Sequence, residues 1–303
     1  MSPRSLGVSQ NLAPPVFIAI ASAGRGGIVH DTLRHTASLT DRPDGIILCL
    51  PDDQPADADA PDLPDGVRVL TSPRGLCAQR NTVIEAAPKE AIVLYLDDDF
   101  LLGDGSVSAL RQLFANQPEV VMATGRVVAD GIGGPGFDHA RGQVELAGAP
   151  ARTDGRAVPT YNAYGCNMAV RVAPAIDHGL RFDTRLPMYG WLEDVDFSRQ
   201  MARFGEILKL DTLYGVHLGT KKGRSRGVPL GYSQIANPVY LIRKGTMAPR
   251  RALRLMARNM AANTAKILRP EAWIDRPGRL RGNLMALGDL VRGRLDPTRV
   301  RDL

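Results

Sequence analysis

The chain has 303 residues, of which 44% are hydrophobic, and this is enough for one large core with an appendage. No apolar run approaches the ~20 residues that cross a bilayer, and no apolar segment follows Met1, so we expect neither a spanning helix nor a secretory signal. The three cysteines lie far apart without CxxC spacing, which predicts reduced thiols rather than disulfides or a zinc site.

The formal net charge of +6 is unevenly distributed along the chain. Residues 243–303 carry 15 Lys or Arg and 5 Asp or Glu, whereas residues 1–242 carry 23 and 27. A basic segment of this kind indicates a polyanionic partner, either nucleic acid or an anionic membrane. Because the tail has few aromatic residues and no recognisable nucleic-acid module, we favour the membrane and expect no nucleic-acid partner.

The first hundred residues alternate apolar strands with helical segments, which favours a βαβ sheet. The glycine-rich turn Ser22–Gly27 follows the first strand but lacks the third glycine of a dinucleotide-binding fingerprint. The predicted strands are Val16–Ala21, Gly45–Leu50, Val67–Leu70 and Ile92–Leu96. One helix is predicted over 28–39, and the segment Pro73–Asn81 leads into another that ends near Ala86.

Three consecutive aspartates, Asp97, Asp98 and Asp99, follow the most apolar of these strands. Ligands of open α/β sheets bind outside the carboxyl ends of the strands. Adjacent carboxylates repel one another, so a hard cation such as Mg²⁺ or Mn²⁺ would stabilise them. A solvated acidic turn is the alternative interpretation. The second strand ends similarly, at Asp52 and Asp53.

The middle of the chain is less regular. We predict a helix over Val107–Ala115 and strands over Val120–Thr124 and Arg126–Ala129. Residues 130–159 are rich in Gly and Asp, which predicts a long irregular stretch.

A helix over Asp194–Phe204 is predicted by apolar residues at helical spacing. Its first turn is acidic, and carboxylates there suit the helix dipole, so Glu193 and Asp194 have a structural explanation. A strand over Leu208–Leu213 follows, with an extension that includes His217.

Two amphipathic, arginine-rich helices end the chain, and Trp273 lies between them. Their apolar positions include Leu253 and Met260 in the first helix, and Leu284 and Val291 in the second. Such helices either pack on the main domain with solvated arginine faces or bind an anionic lipid surface, where a tryptophan would contribute.

Four segments in order resemble motifs of the family 2 glycosyltransferases. The resemblance covers residues 15–220 and departs from the family pattern where Pro51–Gln54 ends the second strand. The segments are Gly75–Asn81 (a glycine-to-Arg-Asn segment), Asp97–Asp99 (the DxD signature), Gly165–Arg171 (an acceptor-side strand) and Trp191–Asp194 (the Glu-Asp motif).

The resemblance implies a GT-A fold, an α/β architecture with a Rossmann-like mixed sheet flanked by helices, here with a C-terminal basic helical extension. We therefore divide the chain into a flexible leader at 1–14, a GT-A domain at 15–242 and a basic amphipathic extension at 243–303. Within the domain, the nucleotide-binding half covers about 15–101 and the acceptor half about 102–242.

The resemblance also implies an inverting hexosyltransferase that moves a sugar from a nucleotide-diphosphate sugar, with a UDP-sugar favoured, to a hydroxyl acceptor. Asp99 and His217 would ligate Mn²⁺ or Mg²⁺, which stabilises the leaving group. Asp194 would be the general base, and Glu193 would hydrogen-bond the acceptor. The other implied contacts are Ala21, Arg25, Asp52, Asp53, Arg80, Asp97 and Asp98 for the donor, Lys221, Lys222 and Arg224 for a pyrophosphate loop, and Tyr189 and Trp191 for the acceptor.

Bacterial members of the family commonly extend polyprenyl-diphosphate-linked glycans in polysaccharide biosynthesis. With the basic tail, this predicts a cytoplasmic protein bound peripherally to the inner face of the plasma membrane. A sugar-nucleotide nucleotidyltransferase is one alternative, but Gly24–Gly27 has no nearby lysine. A non-catalytic membrane-assembly scaffold is another, but it would need neither Asp99 nor Asp194.

Overall fold

The computed structural model describes residues 13–53, 63–150, 155–221 and 227–303. Most of the predicted leader, and the predicted loop residues Lys222 and Arg224, lie outside these ranges. The strands are β1 (Val16–Ala21), β2 (Gly45–Pro51), β3 (Val67–Ser72), β4 (Ile92–Asp97), β5 (Phe100–Leu102), β6 (Val120–Asp130), β7 (Ala157–Pro159), β8 (Asn167–Arg171) and β9 (Glu206–His217). The α-helices are α1 (Gly26–Ala37), α2 (Leu76–Ala86), α3 (Ser106–Asn116), α4 (His139–Ala147), α5 (Val172–Asp177), α6 (Glu193–Met201), α7 (Gly227–Lys244), α8 (Pro249–Ala265) and α9 (Arg276–Val291).

Across the described ranges, these nine strands form one mixed sheet, in which β3, β2, β1, β4, β8, β6, β9 and β5 are successive neighbours and β7 pairs with β9. The strands β3, β2, β1 and β4 are parallel, as the alternating pattern predicts. The other half mixes directions, since β8 is antiparallel to β4 and β6, while β9 is parallel to β6.

The apolar run of β4 is explained by packing on both faces of the sheet. Val93 and Tyr95 point into the core with α2 and α6, whereas Leu94 and Leu96 point into the core with α1 and α3. Asp97 therefore ends a strand that is buried on both faces, and it pairs in register with Ala21 of β1.

Two local predictions in the middle of the chain are wrong. The strands expected at 120–124 and 126–129 are one strand, β6, which continues through Gly125. A Cβ at Gly125 would be 2.4 Å from the Leu213 carbonyl oxygen of β9, so the close approach requires glycine. The stretch expected to be irregular contains α4, whose N-terminus is capped by Asp138 accepting a hydrogen bond of 2.7 Å from the Arg141 amide.

The C-terminal helices form a small core of their own, and they are also fastened to the main domain. The predicted domain boundary at 242 falls inside α7. Residues Leu241, Met247 and Ala252 join the main core, and the Thr246 hydroxyl donates a hydrogen bond of 2.6 Å to the buried Asp196. No helix in the described part of the chain has the length and apolarity to cross a membrane.

Candidate active site

Asp97, Asp99 and His217 come together at the carboxyl ends of β4 and β9, with their ligand atoms within 4.8 Å of one another. The pairing of β5 with β9 places Phe100 opposite His217, and the Leu218 amide donates to the Asp99 carbonyl oxygen at 2.9 Å. The His217 Nε2 lies 3.3 Å from Asp99 Oδ1 and 3.7 Å from Asp97 Oδ2. Two carboxylates and an imidazole are a suitable ligand set for a divalent metal such as Mn²⁺. The structure therefore adds Asp97 to the predicted pair.

Asp99 is held so that one of its oxygens faces the cluster. Its Oδ2 accepts hydrogen bonds from the Thr220 amide and hydroxyl, both at 2.9 Å, and from Arg25 at 3.0 Å. Burial would raise the pKa of Asp99, but His217 and Arg25 outweigh it and hold this pKa well below its usual range. Oδ1 is left as the oxygen directed toward Asp97 and His217.

His217 is held on its other nitrogen by Asp130, a residue that the sequence patterns did not indicate. The Nδ1 atom lies 2.9 Å from Asp130 Oδ1. Burial would lower the pKa of His217, but the hydrogen bonds to Asp130 and Asp99 outweigh burial and raise it to about 10. The register of β6 and β9, which pairs Asp130 with His217, brings the two residues together.

Asp98, the middle residue of the triplet, points away from this cluster. It is 4% exposed and accepts hydrogen bonds from the Ser22 hydroxyl at 2.7 Å and from Arg25. Burial raises its pKa to about 7, against the opposing charge of Arg25. Asp98 and Arg25, both predicted to contact the donor, thus bind each other.

Arg80, which is predicted to contact the nucleotide, is buried among protein groups. Its side chain is 1% exposed and donates to Glu193 and, at 2.8 Å, to the Gly165 carbonyl oxygen. The guanidinium also lies 3.5 Å from Asp97. Through these contacts, Arg80 links β4 to the acidic helix α6.

Asp194 is the second residue of α6, which begins at Glu193. The residue before the helix, Leu192, has a left-handed backbone with φ of 74°. Its two carboxylate oxygens accept hydrogen bonds from the Gly165 amide at 3.1 Å and the Val195 amide at 2.8 Å. Burial nevertheless raises the pKa of Asp194, which makes this carboxylate a better proton acceptor than a solvated one.

Cys166 is buried and is influenced by the charges of both acidic groups. Burial, and then the charges of Asp97, Asp130, Asp194 and Asp99, raise the pKa of Cys166 well above its ordinary value. In the backbone, the Asp97 amide donates to the Cys166 carbonyl oxygen at 3.3 Å, and the neighbouring Gly165 holds Asp194. The predicted metal and base residues are thus joined through Arg80 and Gly165 at one site, here called the cleft.

The remaining predicted residues lie around this cleft or farther out. Asp53 is exposed and pairs with Arg74 at 2.8 Å, and Asp52 is exposed beside it. Tyr189 is 51% exposed, whereas the Trp191 carbonyl oxygen accepts a hydrogen bond of 2.7 Å from Asn237 of α7. The Lys221 ammonium donates to the carbonyl oxygens of residues 131 and 132.

Comparison with known proteins gives a family match for part of the chain and a fold match for most of it. Residues 51–179 match the model of glycosyl transferase family 2. Two solved structures share the fold: GalNAc-T7 with UDP, GalNAc and Mn²⁺ (TM-score 0.53, 13% identity, 93% of this chain and 59% of that chain), and the mannosyltransferase PcManGT from Pyrobaculum calidifontis with GDP-Man and Mn²⁺ (TM-score 0.52, 14% identity, 95% and 84%). This chain therefore spans 59% of the length of the GalNAc-T7 chain. No curated protein matches its sequence.

The match to the family 2 model covers less than half of the 303 residues, and the chain has the GT-A fold. The predictions of family, fold class and a glycosyltransferase type of enzyme are confirmed at this level.

Proposed function

We propose that this protein transfers a sugar from a nucleotide-diphosphate sugar to a hydroxyl acceptor, with inversion at the anomeric carbon. The observation that carries the proposal is the proximity of a metal-type cluster to a carboxylate base, which are joined through Arg80 and Gly165. The UDP, GalNAc and Mn²⁺ in the GalNAc-T7 structure and the GDP-Man and Mn²⁺ in the PcManGT structure support the same class of donor and cofactor.

Asp97, Asp99 and His217 would hold the metal ion, and their donor set fits Mn²⁺ or Mg²⁺. When bound, the ion neutralises the charge that develops on the diphosphate leaving group. Arg25 contributes a further positive charge at the rim, where its side chain is 17% exposed. Lys221, with the adjoining Lys222 and Arg224, remains the predicted pyrophosphate loop.

On the acceptor side, Asp194 removes the hydroxyl proton as the oxygen attacks, and the raised pKa suits that role. Glu193 uses one carboxylate oxygen for Arg80, while its Oε2 is buried and accepts no hydrogen bond from the described residues. That oxygen is suited to receive a hydrogen bond from the acceptor, and the exposed ring of Tyr189 offers a face for a sugar.

The acceptor is a lipid-linked glycan, as in bacterial polysaccharide synthesis, and the basic extension binds the anionic inner face of the membrane. The connection between α8 and α9 supports this, because Leu268 is 90% exposed and Trp273 is 39% exposed, with Lys266 and Arg269 beside them. Apolar side chains flanked by basic ones bind anionic bilayers.

Point variants test the membrane role better than removal of the extension, because Thr246 anchors the extension to the catalytic domain. Leu268→Ser and Trp273→Ala should lower sedimentation with anionic vesicles. Val291→Ser is the matched control, since Val291 is 88% exposed but lies at the end of α9. Equal sedimentation of all variants and the wild type would reject docking through this connection.

A thermal-shift screen tests the central activity. UDP and GDP are each added with and without Mn²⁺ to the wild type and to Asp99→Asn. We expect a Mn²⁺-dependent stabilisation by one nucleoside diphosphate that Asp99→Asn loses. Further samples contain a nucleoside triphosphate together with a sugar phosphate, and stabilisation by this pair would favour the nucleotidyltransferase alternative. No stabilisation by any of these nucleotides would favour a scaffold.

A further inference from the structure

The carboxylate of Asp130 is the most informative group near the cleft that neither the sequence motifs nor the proposed chemistry uses. Its Oδ1 lies 2.9 Å from His217 Nδ1 and accepts a hydrogen bond of 3.0 Å from the Ile132 amide. Its Oδ2 accepts a hydrogen bond of 3.4 Å from the Tyr164 hydroxyl. Both oxygens are therefore fixed, although the side chain is 30% exposed.

The arrangement has a direct effect on His217. An imidazole that donates from Nδ1 to a carboxylate presents Nε2 on its opposite side, and here Nε2 faces Asp97 and Asp99. A carboxylate behind a ligating histidine fixes the ring orientation and increases its basicity as a ligand. The parallel pairing of Asp130 with His217 in β6 and β9 fixes this contact in the sheet itself.

Tyr164 extends the arrangement toward the base. Its hydroxyl contacts Asp130, and its backbone amide donates to the Thr124 hydroxyl at 3.1 Å. The next residue, Gly165, donates to Asp194. One short segment therefore contacts both the residue behind His217 and the proposed base.

We propose that Asp130 is a positioning residue that acts through His217 to set the metal affinity of the cleft, with Tyr164 orienting the Asp130 carboxylate. This inference rests on the proposed function, because it requires that Asp97, Asp99 and His217 bind a divalent metal. In this proposal the ligands are Asp97, Asp99 and His217, and Asp130 acts on the metal only through His217.

The test measures Mn²⁺ affinity directly, from the electron paramagnetic resonance signal of free Mn²⁺ in titrations without any donor or acceptor. Asp130→Ala removes the hydrogen bond and the charge, and we expect about 10–100-fold weaker Mn²⁺ binding. Asp130→Asn keeps an oxygen for His217 and the Ile132 amide, and its amide group can donate to the Tyr164 hydroxyl. This variant therefore retains the fold and removes only the charge, and we expect an intermediate loss.

Two controls separate positioning from general damage. Asp177→Ala removes an exposed carboxylate that pairs with Lys89, and it should leave Mn²⁺ affinity unchanged. In a His217→Ala background, Asp130→Asn should have no further effect, because the residue through which it acts is gone.

Wild-type affinity for Asp130→Ala and Asp130→Asn would overturn the inference, and so would an undiminished effect of Asp130→Asn in the His217→Ala background. If the wild type itself failed to bind Mn²⁺, the proposed metal-dependent function would fail. If the wild type bound Mn²⁺ and the Asp130 variants bound it equally well, only the inference about Asp130 would fail.

Discussion

Replacing Arg80 with methionine tests how the two halves of the cleft are held together. Arg80 is 1% exposed, and it is the charged partner of Glu193, which is itself 5% exposed. The Tyr95 and Phe182 rings lie 5.5 and 5.6 Å from the guanidinium carbon and close the site to water. Arg80→Met would leave Glu193 buried without its counter-charge and the Gly165 carbonyl oxygen without its donor.

Removing one member of a buried ion pair destabilises a protein by about 3–5 kcal/mol. We therefore expect Arg80→Met to lower the free energy of unfolding by about this amount in urea denaturation followed by circular dichroism. Adding Glu193→Gln should restore part of the loss, because the second buried charge is then also absent.

Arg74→Met is the matched control, because Arg74 forms an exposed pair with Asp53. An exposed ion pair contributes roughly 0–1 kcal/mol, so this variant should unfold almost as the wild type does. If Arg80→Met and Arg74→Met had the same small effect, Arg80 would not be the buried link described above, and a contact with the nucleotide would again be the better explanation.

Three further results are expected. Asp194→Asn should lower the rate of sugar transfer about 10²–10⁴-fold without weakening nucleotide binding by calorimetry; normal transfer would show that another group is the base. Gly219→Ala should destabilise the loop after His217 and weaken Mn²⁺ binding, since Gly219 has φ 62° and a Cβ would lie 2.3 Å from the Gly131 carbonyl carbon; a wild-type melting temperature and Mn²⁺ affinity would contradict this. Burial would raise the pKa of Asp183, but hydrogen bonds, first the one from Lys244, outweigh burial and lower it. The ionised Asp183 therefore stabilises the folded protein above the ordinary pKa of about 4, and this contribution is lost as the pH falls below it. Asp183→Asn should therefore flatten the decline of urea midpoints below pH 4, and an unchanged decline would assign it to other groups.

The sequence predicted those features of the cleft that depend on local patterns. An apolar run that ends in three aspartates has few explanations other than a buried strand with an acidic end, and the structure has both. His217 follows a recognisable strand in the same way. The acidic start of α6 and its position beside Gly165 also agree with the order of the family motifs.

Other features depended on contacts between distant residues. Asp130 precedes His217 by 87 positions, and only the register of β6 and β9, with its irregularities, brings them together. The family resemblance implied a nucleotide contact for Arg80, and no sequence pattern indicated that its guanidinium is packed against Tyr95 and Phe182. Sequence spacing contains neither the register nor the burial.

The metal and nucleotide sites can be located by diffraction from crystals soaked with Mn²⁺ and either UDP or GDP, recorded at the manganese absorption edge. We expect an anomalous peak between Asp97, Asp99 and His217, with the diphosphate beside it and Asp194 facing the same site. A peak at Asp52 and Asp53, or a nucleotide bound with no manganese at the three residues, would contradict it.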